Sequence, residues 1–101
     1  MTRAYTRRSS PFGRALRFTR TTLQLQRYDL AGAASKQYIG SLEQGVKSPT
    51  LNMVEKLAEA MQVHPLTLLV LTYAGTGLDD ATEKLLSQVH SQITVLKDFN
   101  T

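Results

Sequence analysis

The stretch Ser35-Lys36-Gln37-Tyr38-Ile39-Gly40-Ser41-Leu42-Glu43-Gln44-Gly45-Val46-Lys47-Ser48-Pro49-Thr50-Leu51 decides how this chain is read. Ser35 stands just before the first periodic apolar residues and suits an N-cap, because its hydroxyl can accept from an otherwise unpaired N–H of the first turn. Tyr38, Ile39 and Leu42 fall on one helical face, which predicts a helix over 35–44 with that face buried. Gly45 follows the last periodic residue, where a helix commonly ends in the left-handed conformation that glycine adopts without steric cost. Ser48-Pro49-Thr50 then marks a loop and the start of another helix.

Downstream, Leu51, Val54, Leu57, Ala58 and Met61 form an apolar stripe on that next helix, and His64-Pro65 opens a further one through Leu71 or Tyr73. Upstream, Ser10-Pro11 is a helix start followed by a helix to about Thr21. Phe12, Ala15, Leu16 and Thr19 share its apolar face, and Arg14, Arg17 and Arg20 share an adjacent one. Another helix is expected within Gln24 to Ala33, burying Leu30 and Ala31. No strand pattern is evident, so residues 10–74 read as a compact all-α domain of five short helices.

Two segments flank this domain. Residues 1–9 carry Arg3, Arg7 and Arg8, with little apolar content and no periodicity, and read as a flexible basic arm. Residues 75–101 begin with the break Gly75-Thr76-Gly77, after which Asp80 and Glu83 fit a capping box for a last helix. Leu85, Val89, Ile93 and Leu96 recur along it as one stripe. If five helices already close a core, that stripe needs cover, either from a second copy of the chain or by folding back onto its own domain.

The chain has 101 residues, 42% of them hydrophobic and 20% charged, values that suit one folded domain rather than a disordered chain. No apolar run approaches the roughly 18 residues of a membrane span. The N-terminal arginines lack a following apolar region, so secretion is not expected. With no cysteine, disulfides and thiolate zinc sites are excluded. A cytoplasmic location is the expectation.

The net charge of +4 hides a division. Residues 1–50 hold nine Lys and Arg against two acidic residues, and residues 51–101 hold three against six. A basic half attracts nucleic acid, because each phosphate it neutralises releases condensed counterions, although an anionic membrane surface would attract the same charge.

The quoted stretch resembles the recognition-helix segment of the lambda repressor/Cro-like helix-turn-helix family, also called the xenobiotic-response-element family. There a serine cap leads into a Tyr-Ile pair, then Leu-Glu-x-Gly, then a Pro-Ser/Thr-Leu helix start. The likeness extends through Val54, Leu57, Ala58, Val63, Pro65 and Leu69, and back to Phe12-Gly13 and Leu16. It implies a lambda-repressor-like all-α fold and double-stranded DNA as partner.

A helix entering the major groove needs one face packed on its domain and a first turn of long polar side chains. Ile39 and Leu42 supply the packing. Lys36 and Gln37 occupy the positions that, by resemblance, enter the groove first; lysine can donate to guanine and glutamine can pair with adenine. Gly40 and Ser41 continue the exposed strip, and Ser41 suits a base or a phosphate. The resemblance places phosphate contacts at Gln26, Gln44, Lys47, Thr50 and Asn52. Tyr38 reads as core packing. Glu43, acidic beside DNA, reads as structural, for example in a salt bridge to Arg14 or Arg17.

One part departs from the family. The helix before the turn usually reads Gln-x-x-Leu-Ala, and an ungapped alignment would put Asp29 at the buried alanine, a costly burial of a carboxylate. Aligning Leu30-Ala31 there instead requires a turn about two residues shorter, and is preferred.

Enzymatic readings find no support. His64 and His90 lie on different elements, no Glu-x-x-His pattern is present, and no phosphate loop or nucleophile elbow occurs, so neither catalysis nor a metal or cofactor is expected. The sequence therefore reads as a transcriptional regulator, a repressor binding a palindromic operator as a homodimer. Its arm residues Arg3, Arg7 and Arg8 would reach DNA, and Leu85, Val89, Ile93 and Leu96 would form the dimer contact. The alternative is an antitoxin-like or anti-repressor interaction module acting through its last helix.

Overall fold

Local capping chemistry sets the helix starts. In the computed structural model, which describes residues 10–100, the Ser10 hydroxyl accepts from the Gly13 N–H at 2.9 Å and Pro11 takes the first position of α1, Pro11–Thr22. The Ser35 hydroxyl caps α2, Lys36–Glu43, by accepting from Tyr38 N–H at 3.1 Å. Thr50 does the same for α3, Leu51–Met61, through Met53 N–H at 3.1 Å. His64 opens α4, Pro65–Ala74, with its Nδ1 accepting from Leu66 N–H at 2.9 Å, the helix-start role expected of it. A fifth helix, α5, runs Ala81–Phe99. Among the described residues there is no strand, and the all-α, lambda-repressor-like class holds.

Leu16 of α1, Leu30, Ile39 and Leu42 of α2, Leu57 of α3 and Leu68 of α4 are completely buried together. Each such side chain contributes roughly 1.5–3 kcal/mol when fully removed from water, so one shared core links α1 to α4. Phe12, Val54, Ala58 and Met61 complete it, with Tyr38 packed against its edge as expected. Leu51 departs from its stripe: at the first position of α3 it stays 65% exposed.

The helix expected within Gln24 to Ala33 is reduced to one 3-10 turn, Arg27–Leu30. The reason lies at the end of α1. Gln24 takes the left-handed conformation, φ 62°, while Leu25 N–H returns to the Arg20 carbonyl at 2.9 Å and Gln24 N–H to that of Thr21 at 3.0 Å. This paired closure uses the residues that would have begun a longer helix. The Asp29 carboxylate then accepts from Gln26 N–H at 2.7 Å and remains in solvent with Tyr28, while Leu30 enters the core. That placement agrees with the shortened turn. Ala31, expected to be buried, is exposed; Ala33 and Ala34 pack on the core in its stead.

At the other end of α2, Gly45 adopts φ 80°, the left-handed termination read from the sequence. Before α5, the expected capping box is absent. Asp79, not Asp80, accepts from Ala81 N–H at 3.2 Å, and Asp80 instead pairs with Lys84 at 3.4 Å. The reason is conformational: Asp80 has φ −90°, ψ 14°, whereas a capping side chain needs an extended backbone to reach the first-turn N–H groups.

The first half of α5 packs on α4, leaving Leu85 and Val89 half-buried, and every residue from Ser91 to Asn100 is exposed. No helix among the described residues is long and apolar enough to cross a membrane.

Gly13 controls how closely α1 approaches α2. A Cβ there would lie 2.6 Å from the carbonyl oxygens of both Leu42 and Glu43, a clash with backbone that no side-chain rotation relieves. Gly13→Ala is therefore expected to destabilise the fold by about 1–3 kcal/mol, as overpacking does elsewhere, seen as a lower urea midpoint at unchanged slope. An unchanged midpoint would contradict the close approach.

Candidate nucleic-acid interface

Because Ile39 and Leu42 are completely buried, α2 cannot rotate about its axis, and its opposite edge is held toward solvent. Lys36 and Gln37, in the first turn, are exposed on that edge; Ser41, one turn on, is half-buried. With Arg27, Gly40 and Gln44 they line one open cleft of about 370 Å³. Three expected base-reading residues thus share a surface with Gln44.

Gly40 does not continue the exposed strip. It is buried beneath the Arg27 guanidinium, whose Nη1 would be 3.4 Å from a Cβ at that position. Arg27 is the member of the cleft that sequence reasoning missed. Its neighbour Gln26, at the N-cap of the 3-10 turn, is exposed but does not line the cleft. The available signal was the shortened turn, which brings the residue after Gln26 beside α2.

Arg27 is held in place by Glu43. Its Nε and Nη2 donate to Oε1 at 3.1 and 3.0 Å. The same carboxylate takes Arg20 Nε on Oε2 at 2.6 Å and Arg20 Nη2 on Oε1 at 3.0 Å, while Arg20 Nη1 donates to the Leu25 carbonyl at 2.8 Å. Glu43 is structural, as anticipated, but its partners are not Arg14 or Arg17. Those two lie on the solvent side of α1, whereas Arg20, four residues after Leu16, rotates onto the buried face. The hydrogen bonds to Glu43 hold the Arg20 guanidinium above its ordinary pKa against the opposing cost of burial, so it stays charged.

The other expected phosphate contacts do not line the cleft but are exposed. Lys47 is exposed on the loop after α2, and Asn52 is exposed in the first turn of α3. Thr50 is exposed as the α3 N-cap, and its hydroxyl retains a proton to donate. Arg3, Arg7 and Arg8 lie outside the described residues. Of the last-helix stripe, Leu85 and Val89 are half-buried, whereas Ile93 and Leu96 remain 44% and 65% exposed.

Removing Arg20 would leave the Glu43 carboxylate buried beside a single, partly solvated guanidinium. Arg20→Ala is expected to cost roughly 3–5 kcal/mol of unfolding free energy. Arg27→Ala should cost distinctly less, because Arg27 is 32% exposed and Arg20 keeps Glu43 paired. Urea denaturation of the two variants checks the order, and equal losses would contradict it.

A profile of the helix-turn-helix family matches residues 16–68, from the core leucine of α1 to that of α4, more than half of the chain. Searches of curated proteins and of solved structures gave no significant match. The matched span contains the whole cleft and the Arg20–Glu43–Arg27 cluster that supports it, and the chain belongs to the Cro/C1-type, or XRE, helix-turn-helix family of DNA-binding transcriptional regulators.

Proposed function

We propose that this chain is a cytoplasmic repressor that binds a palindromic operator as a homodimer, with α2 of each subunit in the major groove. The observation that carries this reading is the cleft itself: Lys36, Gln37, Ser41 and Gln44 converge on the exposed edge of a helix whose other face is locked in the core. Lys36 and Gln37 read base edges, and Ser41 reaches a base or phosphate deeper along the same edge.

Gln26, Gln44, Lys47, Thr50 and Asn52 hold the phosphates on either side, aided by the unpaired N–H groups at the start of α3. Arg27, with one third of its side chain exposed and its Nε and Nη2 committed to Glu43, adds positive charge to the cleft. Residues 10–74 form the DNA-binding unit, the arm residues Arg3, Arg7 and Arg8 reach the neighbouring minor groove or phosphates, and residues 75–101 join two subunits. Two such helices must stand about 34 Å apart, one turn of DNA. Occupying the operator excludes other proteins from it, which is repression in its simplest form.

Gel-shift titrations against the DNA upstream of its own gene test this. The full chain should prefer that DNA over random sequence. Lys36→Ala and Gln37→Ala should each lose about 1–3 kcal/mol and relax the preference. Lys47→Ala should weaken binding to all DNA alike and reduce the salt slope by about one. Equal affinity for random DNA, or indistinguishable effects of the two classes of variant, would overturn the assignment.

A further inference from the structure

The second half of α5 has no cover within the described chain. At 1.5 Å per residue its 19 residues span about 28 Å, nearly twice the length of the ten-residue α4 on which its first half rests. Ile93, Val95, Leu96 and Phe99 are left 44–85% exposed on it. Beside its first half lies a groove of about 420 Å³ between α4 and α5, lined mainly by Leu66, Val70, Leu71 and Leu86, with His64 and two threonines at its edge. One chain therefore presents both a projecting apolar rod and an open apolar channel along the base of that rod.

The sequence of α5 specifies what fills the channel. Leu86, Val89, Ile93 and Leu96 follow one another at intervals of three, four and three, the spacing of a coiled-coil seam. Glu83, His90 and Lys97, each seven residues apart, run along one flank of that seam. Glu83 and Lys97 are exposed, and neither has an ion-pair partner among the described residues.

If two such helices run antiparallel with Leu86 opposite Leu96 and Val89 opposite Ile93, both layers occur twice by symmetry. The same register brings Glu83 of each chain to Lys97 of the other, and the two His90 residues to the centre. A parallel pair would instead put Leu85 beside His90 and Gln92 beside Lys97, with no opposite charges in reach.

We propose that α5 pairs antiparallel with α5 of a second copy, the projecting Leu96 of each lying on Leu86 in the other's α4–α5 groove and Glu83 facing Lys97 across both ends. It rests on the homodimer reading and adds to it the orientation, register and receiving surface. The charge pattern selects the register, and the groove supplies the receiving surface at the position that register requires. Leu86, a groove-lining residue, is the one that the Glu83–Lys97 pairing sets against Leu96.

Charge exchange tests the register in the full chain without DNA, by sedimentation equilibrium. Glu83→Lys alone and Lys97→Glu alone each set like charges together at both ends, and should weaken dimerisation about tenfold. The double variant Glu83→Lys/Lys97→Glu should restore it. Within one helix these residues are about 21 Å apart, so rescue can arise only between chains. As the natural chain has no cysteine, His90→Cys should form a disulfide-linked dimer under mild oxidation. A dimer without rescue, or one in which His90→Cys fails to cross-link, would overturn this arrangement while sparing the homodimer. A monomer at high micromolar concentration would overturn both, and neither result bears on base reading by Lys36 and Gln37.

Discussion

Glu43 ends α2 with its carboxylate in the interior, shared between Arg20 of α1 and Arg27 of the 3-10 turn. A buried ion pair contributes little net stability, because desolvation offsets most of the attraction, but an uncompensated member of one is very costly. Its effect is therefore geometric. Only the arrangement that brings α1, the 3-10 turn and α2 together keeps all three charges satisfied, and the Leu25 carbonyl takes a further donor of Arg20. Slippage of α2 by one turn would strand a charge in the core.

The cleft depends on this cluster. Arg27 can lie against α2 because Gly40 has no side chain, and α1 can close on the end of the same helix because Gly13 has none. Two small residues thus set two close approaches, and the apolar contacts of Ile39 and Leu42 fix the rotation that exposes Lys36 and Gln37. The one acidic residue of α2 is paired from both sides. What α2 presents is a polar and positively charged edge, even though its own sequence contains one lysine and one glutamate.

Much of the fold could be read from residue order. Ser10, Ser35 and Thr50 cap the helices they were expected to cap, Gly45 ends α2 in the left-handed conformation, and the buried positions of α1 fall at Phe12, Ala15, Leu16 and Thr19. These are local signals, decided within a turn of chain. The segment before α2 was legible only in part. Leu30 belongs in the core because burying Asp29 would cost too much, but that reasoning did not reveal that the helix shrinks to a single turn. Gln24 hides this: a glutamine in the left-handed conformation announces no helix end as a glycine would.

The sequence by itself determined the family, the all-α class and the edge of α2 carrying Lys36 and Gln37, because caps and apolar periodicity act over a few residues. Only the tertiary structure decided that Glu43 pairs with Arg20 and Arg27 and not with Arg14 or Arg17, that Gly40 is covered, and that Arg27 joins the cleft. Those outcomes depend on how α1 and a shortened turn are rotated against α2. Rotation between elements is set by packing of residues far apart in the chain, which no local pattern records.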